Sequence, residues 1–433
     1  MAACQQSPGP LCHRNPENSL FTQKYLRRTP LVQAAAFAIG MLLPAANAGA
    51  LWKDKLEVFV SEAITHDDNV FRLSDAADPA TTIGSSSTAD TYTTTTAGLR
   101  FDVPVSRQRF LGELGWYHNN YNRFSEFDFT GNNARALWQW QAGNRLSGQL
   151  GYTQRKALSS LSNVQSGVQS TTANPVHKQD GYFNAAYMMT PRWRLKGELI
   201  DSRSSNTVPE FQVNDINIDG TGLGVSYVSP AENEIGVNMR VADAELPFPQ
   251  LVAGTPVDNA YEQRNVDLVT SWTITGHSRL NARLGRVDRN YDQFPERNFD
   301  DTTYHAAYEW RATGKLRLTA EAQRDISLYE EVNTGFVFLR GVALRPAFDL
   351  TPKITISGAL EHNNMEYLGD AGLVLGTVQP RTDRMRVYAL NVSYRALRHV
   401  LVEAALRRED RASSDPFGDY EVNIVSLTGG IRF

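Results

Sequence analysis

The chain has 433 residues, 41% of them hydrophobic, 10% aromatic and 21% charged, with a formal net charge of −4. That balance gives no reason to expect nucleic acid as a partner. Beyond residue 50 no stretch approaches the ~20 apolar residues of a spanning helix. The 2 cysteines, Cys4 and Cys12, both lie in the first dozen residues, so no disulfide framework is expected over the rest.

The front end carries the features of an export signal. Lys24, Arg27 and Arg28 supply positive charge, the run LVQAAAFAIGMLL (residues 31–43) is apolar, and Pro44 precedes Ala46-Asn47-Ala48, an A-x-A cleavage pattern. We expect residues 1–48 to be a leader and cleaved signal peptide, and 49–433 to be one outer-membrane barrel without a separate plug domain. Residues 1–22 make an unusually long leader, for which an upstream mis-assigned start is one reading. Removal of Arg14, Lys24, Arg27, Arg28 and Glu17 leaves 39 basic (43 − 4) and 46 acidic (47 − 1) residues, a net charge of −7.

After residue 54 the dominant pattern has period two, as in strands with two different faces. Leu146, Leu150 and Tyr152 alternate with Ser147, Gln149 and Thr153, and Ile235, Val237, Met239 and Val241 alternate with Glu234, Asn238 and Arg240. Short turn sequences begin at Ser106, Ala142, Thr190, Ser229, Thr275, Thr313, Thr351 and Ala396, eight in all. Gly, Pro, Asn and Ser recur there because tight reversals need pre-set or unusual backbone angles. Nine longer polar connections separate them: 66–90, 122–128, 156–178, 203–216, 243–260, 290–300, 329–335, 363–382 and 411–418. Eight turns and nine loops join eighteen strands. The expected fold is therefore all-β: a transmembrane antiparallel up-and-down β-barrel of about 18 strands, with short periplasmic turns and long extracellular loops. A sheet in lipid must close, so the last strand should pair with the first near residues 55–65.

Tryptophans support this reading. Trp138, Trp140, Trp193, Trp272 and Trp310 lie within a few residues of the short turns, as in an aromatic girdle at a membrane interface. At the other end of the chain, Val425, Leu427 and Ile431 alternate with Ser426, Thr428 and Arg432 before a terminal Phe433. An aromatic last residue in that phase resembles the signature recognised by the barrel-insertion machinery.

If apolar faces look at lipid, the polar faces line a lumen. Strand phase then nominates Arg100, Arg135, Arg194, Lys196, Arg240, Arg283, Glu309, Arg311, Arg317 and Glu321 as lumen-lining, among nearly balanced acids and bases. Such walls offer weak repeated contacts to a hydrophilic solute, and the same charges can brace one another across strands. Neither cofactor nor metal is expected, because the histidines show no metal-ligand spacing and no catalytic motif is present. His305 is expected to face the lumen and His362 to lie near an outer loop. A carboxylate pair from Glu309 and Glu321 could serve sugar hydrolysis, though a braced ion pair is the better reading. In the loop THDDNVFRLSD (65–75), Val70, Phe71 and Leu73 interrupt a polar run. We expect this loop to dock, in preference to a calcium site at Asp67, Asp68 and Asn69.

The stretches HDDNVFRLSDAADPATTIGSSSTADTY, FDVPVSRQRF, YNRFSEFDFTG and WQWQAGNRLSGQLGYT, within residues 66–153, resemble the EpsL family of exosortase-associated exopolysaccharide-biosynthesis outer-membrane proteins. The likeness extends more weakly over the remainder. It implies a passive outer-membrane conduit for exopolysaccharide, surrounded by outer-membrane lipid and working with periplasmic polysaccharide-export and inner-membrane polymerisation proteins. No functional residue is transferred from it. We expect that conduit first, with a general or solute-specific porin as the alternative, and less readily an outer-membrane enzyme or a non-transporting scaffold.

Overall fold

A computed structural model describes residues 55–159, 172–252, 255–327, 336–368, 381–415 and 417–433. The expected leader and its cleavage site lie outside the described residues, as do the connection 329–335 and most of 156–178 and 363–382.

Eighteen strands form one antiparallel barrel: β1 (Leu56–Asp67), β2 (Asp90–Val105), β3 (Gln108–Tyr121), β4 (Phe129–Ala142), β5 (Leu146–Leu158), β6 (Pro175–Met188), β7 (Trp193–Asn206), β8 (Ile216–Val228), β9 (Glu234–Glu245), β12 (Tyr261–Thr275), β13 (Ser278–Tyr291), β14 (Phe299–Arg311), β15 (Leu316–Ser327), β16 (Phe336–Thr351), β17 (Ile354–Leu368), β18 (Thr382–Arg395), β19 (Val400–Ser413) and β20 (Tyr420–Arg432). A separate small hairpin, β10 (Gln250–Val252) and β11 (Thr255–Val257), sits in the loop after β9. Each barrel strand pairs with its neighbour in sequence, and β20 closes the ring on β1 from Phe59↔Arg432 to Asp67↔Ile424. All eight short turns fall where the sequence places them, seven of them marked by Gly, Pro or Ser and the eighth reading Ala396-Leu397-Arg398-His399.

Period two separates the faces. Val58, Val60, Leu114, Leu223, Val237, Leu268, Leu284, Val342, Leu360, Leu390 and Leu427 all point outward, and Leu223 is 71% exposed. Exposed leucine and valine at this density would be untenable in water, and it is the face an outer-membrane barrel shows to lipid. The five tryptophans near the turns share the outward phase. Inward positions are polar, with rings laid over glycines. Phe59 faces Gly98, where an added Cβ would lie 2.5 Å from the ring, and Tyr182 covers Gly151 in the same way at 2.2 Å.

The strands outrun the loop boundaries read from sequence. β7 continues to Asn206 and β17 to Leu368, because outward residues such as Arg203 and Asn364 are polar yet remain in the ladder. A tilted strand of ~9–11 residues spans the hydrocarbon, whereas these run from 12 to 16. The upper part of the wall therefore stands above the apolar band.

Two rim hairpins are built on one plan. Tyr121–Phe129 and Tyr291–Phe299 share Tyr, Phe, Glu and Phe at their first, fourth, sixth and ninth positions. Each contains a 3₁₀ turn, Ser125–Phe127 or Pro295–Arg297. In each the first tyrosine's N–H donates to a side-chain oxygen seven residues on, Asp128 or Asn298, at 2.7 Å in both. Eight strand steps of the eighteen-strand ring separate them, so they stand nearly across the mouth from each other. At one place the ladder stops early: β14 and β15 pair only from Arg311↔Arg317 up to Tyr304↔Arg324. Above it, the Arg324 guanidinium bridges to the Asp301 carboxylate (2.8 Å), and the Phe299 ring stacks on Phe336 (3.9 Å).

Candidate functional site

The lumen wall is the candidate site. All ten nominated residues occupy inward strand positions, fixed by register against the exposed apolar set. Six of the ten make ion pairs with acids that are also on the lumen face. Arg100 Nε meets Glu113 at 2.9 Å, with Glu57 at 3.5 Å and the Phe59 ring 4.5 Å beneath the guanidinium. Arg194 Nη1 meets Glu234 at 2.6 Å, and Lys196 binds the other oxygen of the same carboxylate. Arg240 Nη2 meets Glu198 at 2.8 Å, Arg283 lies between Asp267 and Asp325, and Arg317 meets Asp349 at 3.1 Å.

Glu321 is held by Arg345, which also donates to Glu361 at 2.8 Å. One guanidinium thus ties three adjacent strands, β15, β16 and β17. Sequence reasoning missed Arg345. The outward alternation of Val342, Leu344, Phe348 and Leu350 carries the signal that places it in the lumen. Glu321 therefore stands in a braced ion pair, as preferred for it from the sequence.

Arg135 and Arg155 differ from the braced set. Both face inward, are exposed, and have no hydrogen-bond or ion-pair partner among the described residues. Glu309 and Arg311 also face inward on β14 near the turn side, with Arg311 directly opposite Arg317. His305 lies on the inward phase of β14, and His362 lies on the outward face of β17 beside Arg386.

The pairs surround space. A cavity of ≈ 770 Å³ is lined by Lys196, Glu198, Arg240, Asp267, Arg283 and Asp325, with Asn238, Asn265 and Gln263 between them. A second, ≈ 760 Å³, opens at the turn-side mouth beside Arg100, Glu113, Arg135, His399 and Arg432. Hydroxyl- and carboxylate-bearing solutes can exchange contacts with such walls in steps, since each group on the wall keeps a partner when the solute leaves.

The first loop docks at the opposite rim. Phe71 is 2% exposed and packs edge-on to Phe124 (4.7 Å) and Phe127 (5.2 Å), with Val70, Leu73 and the inward-facing Tyr121 completing the cluster. The polar residues around it are committed. Asp67 accepts from Arg72 at 2.9 Å, Asn69 Oδ1 accepts the Leu73 N–H at 2.9 Å, and Asp68 accepts from Asn423 at 2.8 Å. Arg72 takes a positive φ of 56°, which folds its guanidinium back onto Asp67. Asp67 and Asn69 close the loop on itself and Asp68 ties it to β20, so segment 65–75 is docked as expected.

A second rim network sits at the loop before β8. Asp215 accepts from the Asn206 N–H (2.7 Å) and Nδ2 (2.9 Å), and Asn174 donates to Asn206 Oδ1 (2.8 Å). Burial pushes the Asp215 carboxyl above its ordinary 3.8, and the two Asn206 hydrogen bonds oppose that rise.

Residues 273–433, from the end of β12 to the terminus, match the family BBP2_2, described as "Putative beta-barrel porin 2". No curated protein matches the chain. Among solved structures, the outer membrane protein OpdK from Pseudomonas aeruginosa is 11% identical with a TM-score of 0.47, covering 88% of this chain and 99% of its own. Pseudomonas aeruginosa OccK2 (OpdF) is 13% identical (TM-score 0.47; 88% and 98%). A BenF-like porin from Pseudomonas fluorescens Pf-5 is 9% identical (TM-score 0.45; 88% and 98%). None of these lends its solute to this chain.

Proposed function

We propose that this chain is an outer-membrane porin that passes hydrophilic solutes by diffusion through a charge-braced lumen. The observation that carries the reading is the inward ladder of arginine–carboxylate pairs around the ≈ 770 Å³ cavity, set in a closed wall whose outer face is apolar. The match of residues 273–433 to a porin family supports it. Paired charges neutralise one another locally, so the wall is wet without gripping any one ion, and the unpaired Arg135 and Arg155 add a modest local preference for anions. No step of catalysis is assigned to the wall.

Passage of exopolysaccharide, with partners in the periplasm and inner membrane, rests on the EpsL resemblance alone, and the porin reading is preferred. Planar-bilayer recording with the purified barrel separates the two. Stable open current with no loss of surface polysaccharide in a deletion strain supports the solute porin. Lost surface polymer in the deletion strain, together with a current that the purified polymer blocks, would reverse the preference.

A further inference from the structure

The outer wall carries charge in an uneven belt just above the apolar band. On one side Asp201, Asp219, Asp243 and Glu262 stand side by side in one register row across β7, β8, β9 and β12. On another side the row Arg340, Asn364, Arg384 crosses β16, β17 and β18, and Arg386 lies two residues below Arg384. Elsewhere outward arginines are satisfied: Arg264 by Glu262 (2.6 Å), Arg286 by Asp300, and Arg408 by Asp410 (3.0 Å) and Glu421 (2.7 Å). Arg340, Arg384 and Arg386 are exposed and have no hydrogen-bond or ion-pair partner among the described residues.

Their surroundings are also specific. Directly below them on the same face are Val342, Leu360, Tyr388 and Leu390, all exposed in the lipid-facing phase. His362 and Asp410 flank Arg386 in its own row, but Asp410 is already held by Arg408, and Glu366 lies one row above. Arg324, next to Arg340 in the row, is occupied by Asp301. By strand spacing, Arg340 and Arg384 stand ~10 Å apart with Arg386 ~7 Å below, so their forks can converge on one doubly anionic group. A guanidinium recognises phosphate oxygens in bidentate fashion.

We propose that Arg340, Arg384 and Arg386 form a binding site on the outer wall for the phosphate groups of outer-leaflet lipid headgroups. This rests on the outer-membrane location in the proposed function, but not on what the lumen conducts. Their height fits that occupant, since they begin where the exposed apolar side chains end, and unpaired cations at that depth gain from anionic headgroups.

The test is native mass spectrometry of the purified barrel released from nanodiscs of zwitterionic phospholipid doped with a phosphate-monoester lipid. Wild-type protein should retain the anionic lipid. The triple variant R340Q/R384Q/R386Q should retain it on the order of a hundredfold less, while the control R264Q/R286Q retains it as wild type does. Heat-modifiable gel mobility and unchanged conductance establish that the triple variant is folded. Equal retention by wild type and triple variant overturns the proposal. So does displacement of the lipid by inorganic phosphate at equal concentration, which would mean a free-ion site. Loss of a dimer in the triple variant would overturn it too, assigning the patch to the acidic row of a second copy. Absent conductance with retained lipid selectivity would count against the porin and leave this site standing.

Discussion

Val58 and Phe433 exchange two backbone hydrogen bonds: the Val58 N–H donates to the Phe433 carbonyl at 3.0 Å, and the Phe433 N–H returns to Val58 at 2.8 Å. This rung lies at the turn-side end of the seam between β20 and β1. Its phenylalanine ring points outward beside Ile431 and is 73% exposed.

Deletion of Phe433 should therefore open the lowest rung of the seam and remove an outward ring at the interface. The expected outcome is a several-fold smaller fraction of heat-modifiable, membrane-inserted barrel, with normal conductance from those molecules that do insert. Wild-type insertion yield on gels of outer-membrane fractions would remove the assembly role.

Braced and unbraced arginines should answer differently to charge reversal. R135E/R155E breaks no pair, so it should shift the reversal potential in a salt gradient toward cations at nearly unchanged thermal stability. R345E instead sets a third carboxylate between Glu321 and Glu361, and should cost about 1–2 kcal/mol by loss of solvated pairs and gain of repulsion. Equal selectivity shifts and equal melting temperatures in the two variants would argue against the assigned inward phase.

The first loop should be held down chiefly by one ring. Phe71→Ala removes a side chain that is 2% exposed, a change that costs ~3–5 kcal/mol in a rigid core and correspondingly less at a rim that can relax. Faster amide exchange confined to residues 68–89, with noisier single-channel current, is the expected result. Unchanged exchange in that segment would show that the loop is fastened elsewhere.

Titration of Asp215 provides a further check. Its carboxyl is raised in the folded state by burial, so the folded rim binds that proton more tightly than the unfolded chain does. The resulting stability is complete below the ordinary carboxylate value and is lost as pH rises through the elevated folded value. Exchange of the Asn206 amide, corrected for intrinsic rate, should accelerate over that window in the native protein. It should stay flat in Asp215→Asn, which keeps the accepting oxygen without the charge. A parallel pH dependence in the variant would assign the effect to another group.

Much of this architecture is legible in the sequence, because a closed barrel writes its two environments into alternate residues. The phase of Val425, Leu427 and Ile431 suffices to orient β20, and Val70, Phe71 and Leu73 stand out as a docking segment. What period two cannot show is where lipid ends. Arg203, Asp243 and Asn364 are polar on an outward face, and such residues read as loop although backbone pairing continues through them. Arg345 was hidden for a related reason: Pro346 beside it interrupts the visual alternation, while the strand runs on through both. The partners of Phe71, Phe124 and Phe127, lie more than fifty residues away and become neighbours only when the β2–β3 hairpin folds back.

The matched hairpins Tyr121–Phe129 and Tyr291–Phe299 have one more consequence. Each fastens its first amide to its own eighth side chain, and each receives a backbone carbonyl from the segment before it: Asn122 N–H to Thr91 O (3.2 Å) and Asp292 N–H to Ala260 O (3.1 Å). A nine-residue part with the same internal fastenings thus stands at nearly opposite ends of one diameter. The mouth is in this sense jointed from interchangeable pieces, and its width along that diameter follows from how many strands lie between them.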